Sequence, residues 1–192
     1  MSTRSNLVAA AAAVLLSAGA QAAAPVISGT FGSGVTAGTV SAESYDHFSY
    51  GGAENWTFWT FTADFFSDVS ITVTPTGGDF DPIIAVWYGI ETDTANYFDF
   101  NSSSVGTVFV AGADGTPGNM FAGPGEAASL SFLNIYGNGP FVLAIADWKD
   151  NTGVGQLGYT ITASVPEPAT WAQLALGLGL LGGLARSRAK RA

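Results

Sequence analysis

Residues 69–74 read Val-Ser-Ile-Thr-Val-Thr, with apolar and hydroxyl-bearing side chains in strict alternation. Successive side chains of a β-strand point to opposite faces, so this pattern predicts a strand with one buried face and one face in water. Residues 159–164 read Tyr-Thr-Ile-Thr-Ala-Ser and repeat the pattern. Two such segments at opposite ends of the same region indicate a β-sheet protein.

The segments between them extend this interpretation. Residues 56–61 form an aromatic strand pattern, while residues 83–88 and 141–146 are apolar at every position, as expected for central strands covered on both faces. Glycine- and proline-rich turns separate the segments, and no run shows apolar residues at helical spacing. Residues 23–164 are therefore predicted to form an all-β domain, a two-sheet antiparallel β-sandwich of jelly-roll-like type.

The N-terminal residues 1–22 have the organisation of a signal peptide. Arg4 precedes an apolar run over residues 7–20, and the small residues Ala20 and Ala22 occupy the −3 and −1 positions of a cleavage site. We expect a signal helix that signal peptidase removes after Ala22. The alternative is a retained membrane anchor, which the short, alanine-rich run disfavours.

The C-terminal residues 165–192 form a tail of three parts. Pro166, Glu167 and Pro168 precede an uncharged segment, residues 169–185, which as a helix of ~1.5 Å per residue would be about 26 Å long and just able to cross a membrane. By the positive-inside rule the basic end, residues 186–192, stays in the cytoplasm and stops transfer. Its charges are Arg186, Arg188, Lys190 and Arg191.

This order of motif, hydrophobic helix and basic end resembles the PEP-CTERM sorting domain of Gram-negative bacteria. The resemblance implies processing by an exosortase near Pro166, Glu167 and Pro168, in organisms that commonly export polysaccharide. It also implies a protein of the cell envelope, the outer surface or the extracellular space, held only transiently in the inner membrane. The alternative is a plain stop-transfer anchor with a proline hinge.

The charges are divided between the body and the ends of the chain. All fifteen acidic residues lie between Glu43 and Glu167, where Lys149 is the one basic residue. Such a body would be repelled by phosphate backbones, which argues against nucleic acid as a partner. The sequence has no cysteine, so disulfides, thiolate metal sites and catalytic thiols are excluded.

Four aspartates suggest a cation site. Asp79 and Asp81 flank one residue before a predicted core strand, and Asp147 and Asp150 follow another. Clustered carboxylates on loops suit Ca²⁺, which takes six to eight oxygen ligands. Alternatively, Asp81 caps the turn before Pro82 and the others are solvated. Residues 114–119 lack the acidic spacing of a known calcium loop and are interpreted as a turn.

Aromatic residues suggest a second kind of site, since exposed rings can stack on sugars. Trp148 and Tyr97 lie on predicted loops and are the ligand-binding candidates for an exopolysaccharide, whereas most other rings have the pattern of core residues. A hydrolase is the weakest alternative. His47 is the sole histidine and no G-x-S-x-G motif occurs, so no catalytic residue is assigned.

The order of segments over residues 43–164, including Asn55–Phe58 and Gly139–Ile145, resembles the bacterial pre-peptidase C-terminal type of β-sandwich. That resemblance implies a non-catalytic accessory or adhesive module that sometimes binds calcium. The sequence as a whole predicts an exported structural or interaction protein of the envelope or extracellular matrix, with a carbohydrate-binding module as the alternative.

Overall fold

The computed structural model describes residues 25–46, 55–91, 106–150 and 152–165. Within these ranges the chain forms nine β-strands, no α-helix and no helix able to cross a membrane. The predicted signal helix and C-terminal helix lie outside the described residues. The strands are β1 (Ile27–Thr30), β2 (Gly34–Ser41), β3 (Thr57–Thr62), β4 (Asp68–Pro75), β5 (Pro82–Tyr88), β6 (Val108–Ala113), β7 (Ala128–Leu133), β8 (Pro140–Asp147) and β9 (Gln156–Ser164).

Two sheets form the sandwich, and the prediction of a jelly-roll-like β-sandwich is confirmed. One sheet has the order β1-β3-β8-β5-β6 and the other the order β2-β9-β4-β7. Strands β2 to β9 pair only antiparallel and distribute between the sheets as in an eight-stranded jelly roll. β1 is an addition that lies parallel to β3 at the edge.

The alternating segments bury the faces that their patterns predict. Val69, Ile71 and Val73 of β4 are at most 1% exposed, and Tyr159 and Ile161 of β9 are equally buried. These side chains pack between the sheets against the inward residues of β3, β5 and β8. Burial of this apolar surface, at about 25 cal/mol per Å², is the main stabilisation of the fold.

The central strands β5 and β8 are buried on both faces, as predicted from their uninterrupted apolar sequences. Ile84 and Leu143 face the inter-sheet core, whereas Trp87 and Ala144 belong to a second cluster on the outer face of the five-stranded sheet. The described residues that pack over this outer face include Tyr45, Trp56, Phe109 and Trp148.

The strand registers give the sandwich two different ends. At one of them β5 begins beside the end of β8, because Pro82 pairs with Asp147. β6 ends at the same place, because its last residue, Ala113, pairs with Ile84 of β5. We call it the acidic end, because it carries Glu43, Asp46, Asp79, Asp81, Asp114, Glu126, Asp147 and Asp150. β9 leaves the four-stranded sheet at the opposite end, which we call the tail end because residues 166–192 follow there.

Candidate functional site

Three aspartates meet at the acidic end because three neighbouring strands begin or end there. Asp147 is the last residue of β8, Asp81 directly precedes β5, and Asp114 directly follows β6. β8, β5 and β6 are successive antiparallel neighbours in one sheet. Residues far apart in the sequence therefore come to one edge.

Asp147 organises this edge through the backbone. Its side chain is 1% exposed, and its two oxygens accept hydrogen bonds from the N–H groups of Asp81 (2.9 Å) and Glu43 (2.7 Å). The Ser44 hydroxyl in turn accepts the Asp147 N–H at 2.9 Å. Asp147 thus holds the segment after β2 against the start of β5.

Asp81 has a different environment. Its side chain is only 6% exposed, and its Oδ1 is a buried oxygen with no hydrogen-bond partner. Asp114 Oδ1, Asp150 Oδ2 and Glu43 Oε1 are likewise buried and unpartnered. Several carboxylate oxygens at one end of the molecule therefore lack the donor that buried polar atoms normally have.

This crowding changes the acidity of the aspartates. Burial, together with the negative charges of Asp114, Asp150, Asp147 and Glu126, raises the pKa of Asp81 to about 7. Burial alone raises the pKa of Asp114 to about 6. Burial also raises the pKa of Asp147, although the N–H groups of Glu43 and Asp81 oppose that rise. At the acidic end, these carboxyl groups are therefore more stable when they bind a proton or a cation than when they are ionised and unpaired.

The described residues offer little positive charge here. Lys149 is the one basic residue among them, and its Nζ lies 3.0 Å from Asp46 Oδ2 in a partly exposed ion pair. No group of three or more acidic or histidine side chains in the described ranges is already arranged to hold a metal ion. A cation would have to draw the carboxylates together.

The predicted ligands Asp79 and Asp150 are less buried than Asp81. Asp79 is exposed, and its carbonyl accepts the Thr152 hydroxyl. Asp150 is half-buried, with one oxygen bonded to the N–H and hydroxyl of Thr152 and the other unpartnered. Asp81 and Asp150 thus have free oxygens, whereas both oxygens of Asp147 are occupied by backbone donors.

A cavity of about 590 Å³ adjoins the acidic end between the edge strands β6 and β7. Asp114, Ser129 and Ser131 contribute polar groups to its wall, and Phe109 and Phe121 contribute rings. The Phe121 side chain is 78% exposed. Asp114 is therefore part of both the acidic end and the cavity wall.

The aromatic residues are mostly part of the core, as their pattern predicts. Trp56, Trp59 and Trp87 are buried, and Trp148 is half-buried with its ring 5.5 Å from that of Tyr45. Tyr97, His47, the cleavage-site alanines, Pro166–Pro168 and the terminal basic residues lie outside the described residues. Their predicted roles stay predictions.

Sequence reasoning missed two of the four residues that have a buried, unpartnered carboxylate oxygen. Residues 114–119 do form the predicted turn, with Thr116 and Asn119 bonded through their backbones, but Asp114 at its start has a buried, unpartnered oxygen. Glu43 was not identified either, and it has a positive φ of 55°. The signal that could have identified Asp114 is its place in the sequence, because it directly follows a strand and Asp81 directly precedes one.

Comparison with known families identifies the tail. Residues 164–190 match the PEP-CTERM protein-sorting motif, which confirms the predicted sorting motif. The chain is therefore an exported protein that an exosortase sorts to the envelope or the outside. The membrane-spanning role of residues 169–185 stays a prediction. No curated protein matches the sequence.

Similar solved structures include a surface-associated protein and a secreted protein. CorA, a surface-associated copper-binding protein of Methylomicrobium album BG8, has 16% identity and a TM-score of 0.55, with 74% of this chain and 100% of that chain covered. The pre-peptidase C-terminal domain of a Bacillus anthracis collagenase has 11% identity and a TM-score of 0.42, covering 72% and 97%. The secreted protein MopE of Methylococcus capsulatus has 8% identity and a TM-score of 0.43, covering 76% and 92%. At 16% identity, the similarity to CorA is one of fold.

Proposed function

We propose that this exported protein is a non-catalytic interaction module of the envelope or extracellular matrix whose acidic end binds Ca²⁺. The observation that carries the proposal is Asp81, a carboxylate 6% exposed with an unpartnered oxygen, facing further carboxylates and no basic side chain of the described residues. A buried carboxylate without a counter-charge is costly. A bound cation removes that cost.

The chemistry of the acidic end favours a hard cation. Asp81, Asp114, Asp150 and Glu43 offer only oxygen atoms, which are the ligands that Ca²⁺ prefers, and its flexible coordination tolerates loop ligands and water. The side chains would rotate toward the ion, because their present arrangement does not hold one. Asp147 would keep the surrounding backbone in place through its two hydrogen bonds.

Copper is the contrasting possibility, since CorA is a copper-binding protein with this fold. Copper sites usually contain imidazole or sulfur ligands. This sequence has no cysteine and one histidine, and the buried unpartnered atoms of the acidic end are all carboxylate oxygens. Met120 lines the cavity with Asp114, but its side chain is 68% exposed. We therefore propose Ca²⁺ in preference to copper.

Thermal unfolding of the purified full chain tests the proposal. CaCl₂ at millimolar concentration should raise the thermal midpoint, because a ligand that binds only the folded state stabilises it. EDTA should reverse this rise. CuSO₄ should produce no comparable rise.

Asp81→Asn should abolish the calcium effect, because it replaces an unpartnered buried oxygen. Asp79→Asn is the matched control, because Asp79 lies two residues away but is exposed, and it should keep most of the effect. Equal midpoints with CaCl₂ and EDTA in the wild-type chain would overturn the proposal.

A carbohydrate-binding module is the second candidate, favoured by the cavity beside β6 and β7. Its exposed Phe121 ring and the hydroxyls of Ser129 and Ser131 combine a stacking surface with hydrogen-bonding groups, as sugar sites require. A glycan array that includes exopolysaccharides should then detect binding that Phe121→Ala removes. Val154→Ala, at a side chain 87% exposed elsewhere, is the control. Absence of binding to every glycan would remove this candidate.

A further inference from the structure

Four exposed apolar side chains lie together at the tail end. Phe65 and Phe66, in the turn between β3 and β4, are 49% and 65% exposed, and Leu133 and Ile135, at the end of β7, are 46% and 58% exposed. Asp68, at the start of β4, pairs with Leu133, so the turn and the end of β7 are neighbours. We call these four residues the phenylalanine patch.

The last described residue, Val165, leaves from the same end. Ser70 of β4 pairs with both Ser164 of β9 and Ser131 of β7, which places the exit of the chain two strands from the patch. The Ser33 hydroxyl accepts the Val165 N–H at 2.9 Å and donates to the Val165 carbonyl at 2.7 Å. The point at which the tail begins is therefore fixed relative to the patch.

Hydrogen bonds hold the turn that contains Phe65 and Phe66, here called the phenylalanine turn, in its exposed position. Phe66 N–H donates to the Asn134 carbonyl at 2.7 Å, and Phe65 N–H donates to Asn138 Oδ1 at 2.8 Å. The fully buried Asn134 also donates its side-chain amide to the carbonyls of Ala63 and Asp64. Phe66 has a φ of 60°, a conformation that costs energy for a residue of its size. The loop after β7 thus keeps both rings at the surface.

Charged side chains are also distributed unevenly between the acidic end and the tail end. Most of the described carboxylates lie at the acidic end, and the tail end has only Asp64, Asp68 and the buried Glu91 among them. The tail end therefore carries fewer charges than the acidic end, with Asp64 and Asp68 on either side of the phenylalanine turn, although exposed apolar side chains such as Phe121 and Val154 also occur at the acidic end.

We propose that the phenylalanine patch contacts the lipid bilayer while the tail is still in the membrane, with its rings at the boundary between headgroups and acyl chains. The inference rests on the predicted membrane insertion of residues 169–185. Only Pro166, Glu167 and Pro168 separate Val165 from that segment, and three extended residues span about 10 Å. The tail end must then face the bilayer, where exposed apolar rings are stabilised.

This contact orients the domain for its processing. It keeps the acidic end pointing away from the membrane and holds the Pro-Glu-Pro segment close to the bilayer surface. After the tail is removed, the small patch alone would bind membranes weakly, so the contact would end with processing.

The absence of cysteine makes the proposal directly testable. Two variants of the full chain are prepared, Ile135→Cys in the patch and Val154→Cys at the acidic end. Each is labelled with a nitrobenzoxadiazole probe at its single cysteine and reconstituted into phosphatidylcholine vesicles. Lipids brominated near the headgroup end of the acyl chains should quench the probe at position 135 several-fold more than the probe at position 154. Equal, weak quenching at both positions would overturn the proposal.

A second variant tests whether the rings make the contact. Phe65→Ser together with Phe66→Ser should lower the quenching at position 135 while circular dichroism still shows the folded β-sandwich, since both side chains are exposed. Unchanged quenching in this variant would overturn the role of the rings. Burial of the position 135 probe in the full chain before vesicles are added would place residues 169–185 of the chain itself on the patch, and would also overturn the proposal.

Discussion

At the residue scale, Asp147 and Asp81 show how position gives the same side chain opposite roles. Asp147 has two backbone N–H donors for its two oxygens, so its hydrogen bonds stabilise the joint between β8, β5 and the segment after β2. Asp81 is nearly as buried, but one oxygen has no donor and its neighbours are negative. Asp147 is therefore a structural residue, and Asp81 is suited to binding.

Phe66 is the residue at which a substitution should increase stability. Asparagine tolerates a positive φ better than phenylalanine, so Phe66→Asn should raise the free energy of unfolding by about 0.5–1 kcal/mol. Urea unfolding measures the change. Phe65→Asn is the control, because Phe65 is not among the residues with positive φ and its substitution should leave stability unchanged or lower it. A loss of stability in Phe66→Asn would contradict the strain assigned to this turn.

At the element scale, β8 and β5 show why an uninterrupted apolar sequence predicts a central strand. A strand at the surface of a sandwich needs one polar face, as β4 has, but β5 and β8 have cores on both sides. The outer core is built from the segments that flank β2, β3 and β8, through Tyr45, Trp56 and Trp148. The five-stranded sheet is thus the middle layer of the domain.

The pairing of β2 with β9 depends on a glycine. Gly38 pairs with Tyr159, and a Cβ atom at position 38 would lie 2.6 Å from the Tyr159 hydroxyl oxygen. That hydroxyl accepts the Trp59 indole N–H at 2.8 Å in the core, so it cannot move away without breaking a buried hydrogen bond. Gly38→Ala should therefore destabilise the protein by about 1–3 kcal/mol.

Urea unfolding tests this expectation as well. Gly77→Ala is the control, because nothing lies within 4 Å of a Cβ built at that position. Equal stability of the two variants would contradict the packing assigned to Tyr159.

At the scale of the whole molecule, the sandwich has an axis. Its tail end carries the phenylalanine patch and the exit of the chain, and its acidic end carries most of the described carboxylates. In the full chain this axis would point the proposed cation site outward from the membrane. Sorting and the proposed cation binding would then belong to opposite ends of one domain.

The acidic end should make stability depend on pH in an unusual direction. The pKa of Asp81 is about 7 in the folded protein against 3.8 for an ordinary aspartate, so the folded state binds more protons between these values. The free energy of unfolding should therefore fall as pH rises from about 4 to about 7, by on the order of 3 kcal/mol. Urea unfolding in EDTA across this range measures it.

Two comparisons identify the group responsible. Asp81→Asn should reduce the pH dependence, since the amide does not ionise, and Asp79→Asn should leave most of it. Saturating Ca²⁺ should also reduce it, if the ion takes the place of the proton. A stability that rises with pH through this range in the wild-type chain would contradict the surroundings assigned to Asp81.

The sequence by itself determined the export and sorting of this protein, because the PEP-CTERM motif is read as a short contiguous segment. It also determined the sandwich, since alternation at β4 and β9 and continuous apolarity at β5 and β8 are local consequences of which faces are buried. Tertiary structure alone decided that Asp114 and Glu43 lie at the same end as Asp81, and that Phe65 and Phe66 lie at the end where the tail begins. Both depend on the pairing of strands that are far apart in the sequence. This pairing and its register decide which loops meet, and the pattern of a single segment does not give them.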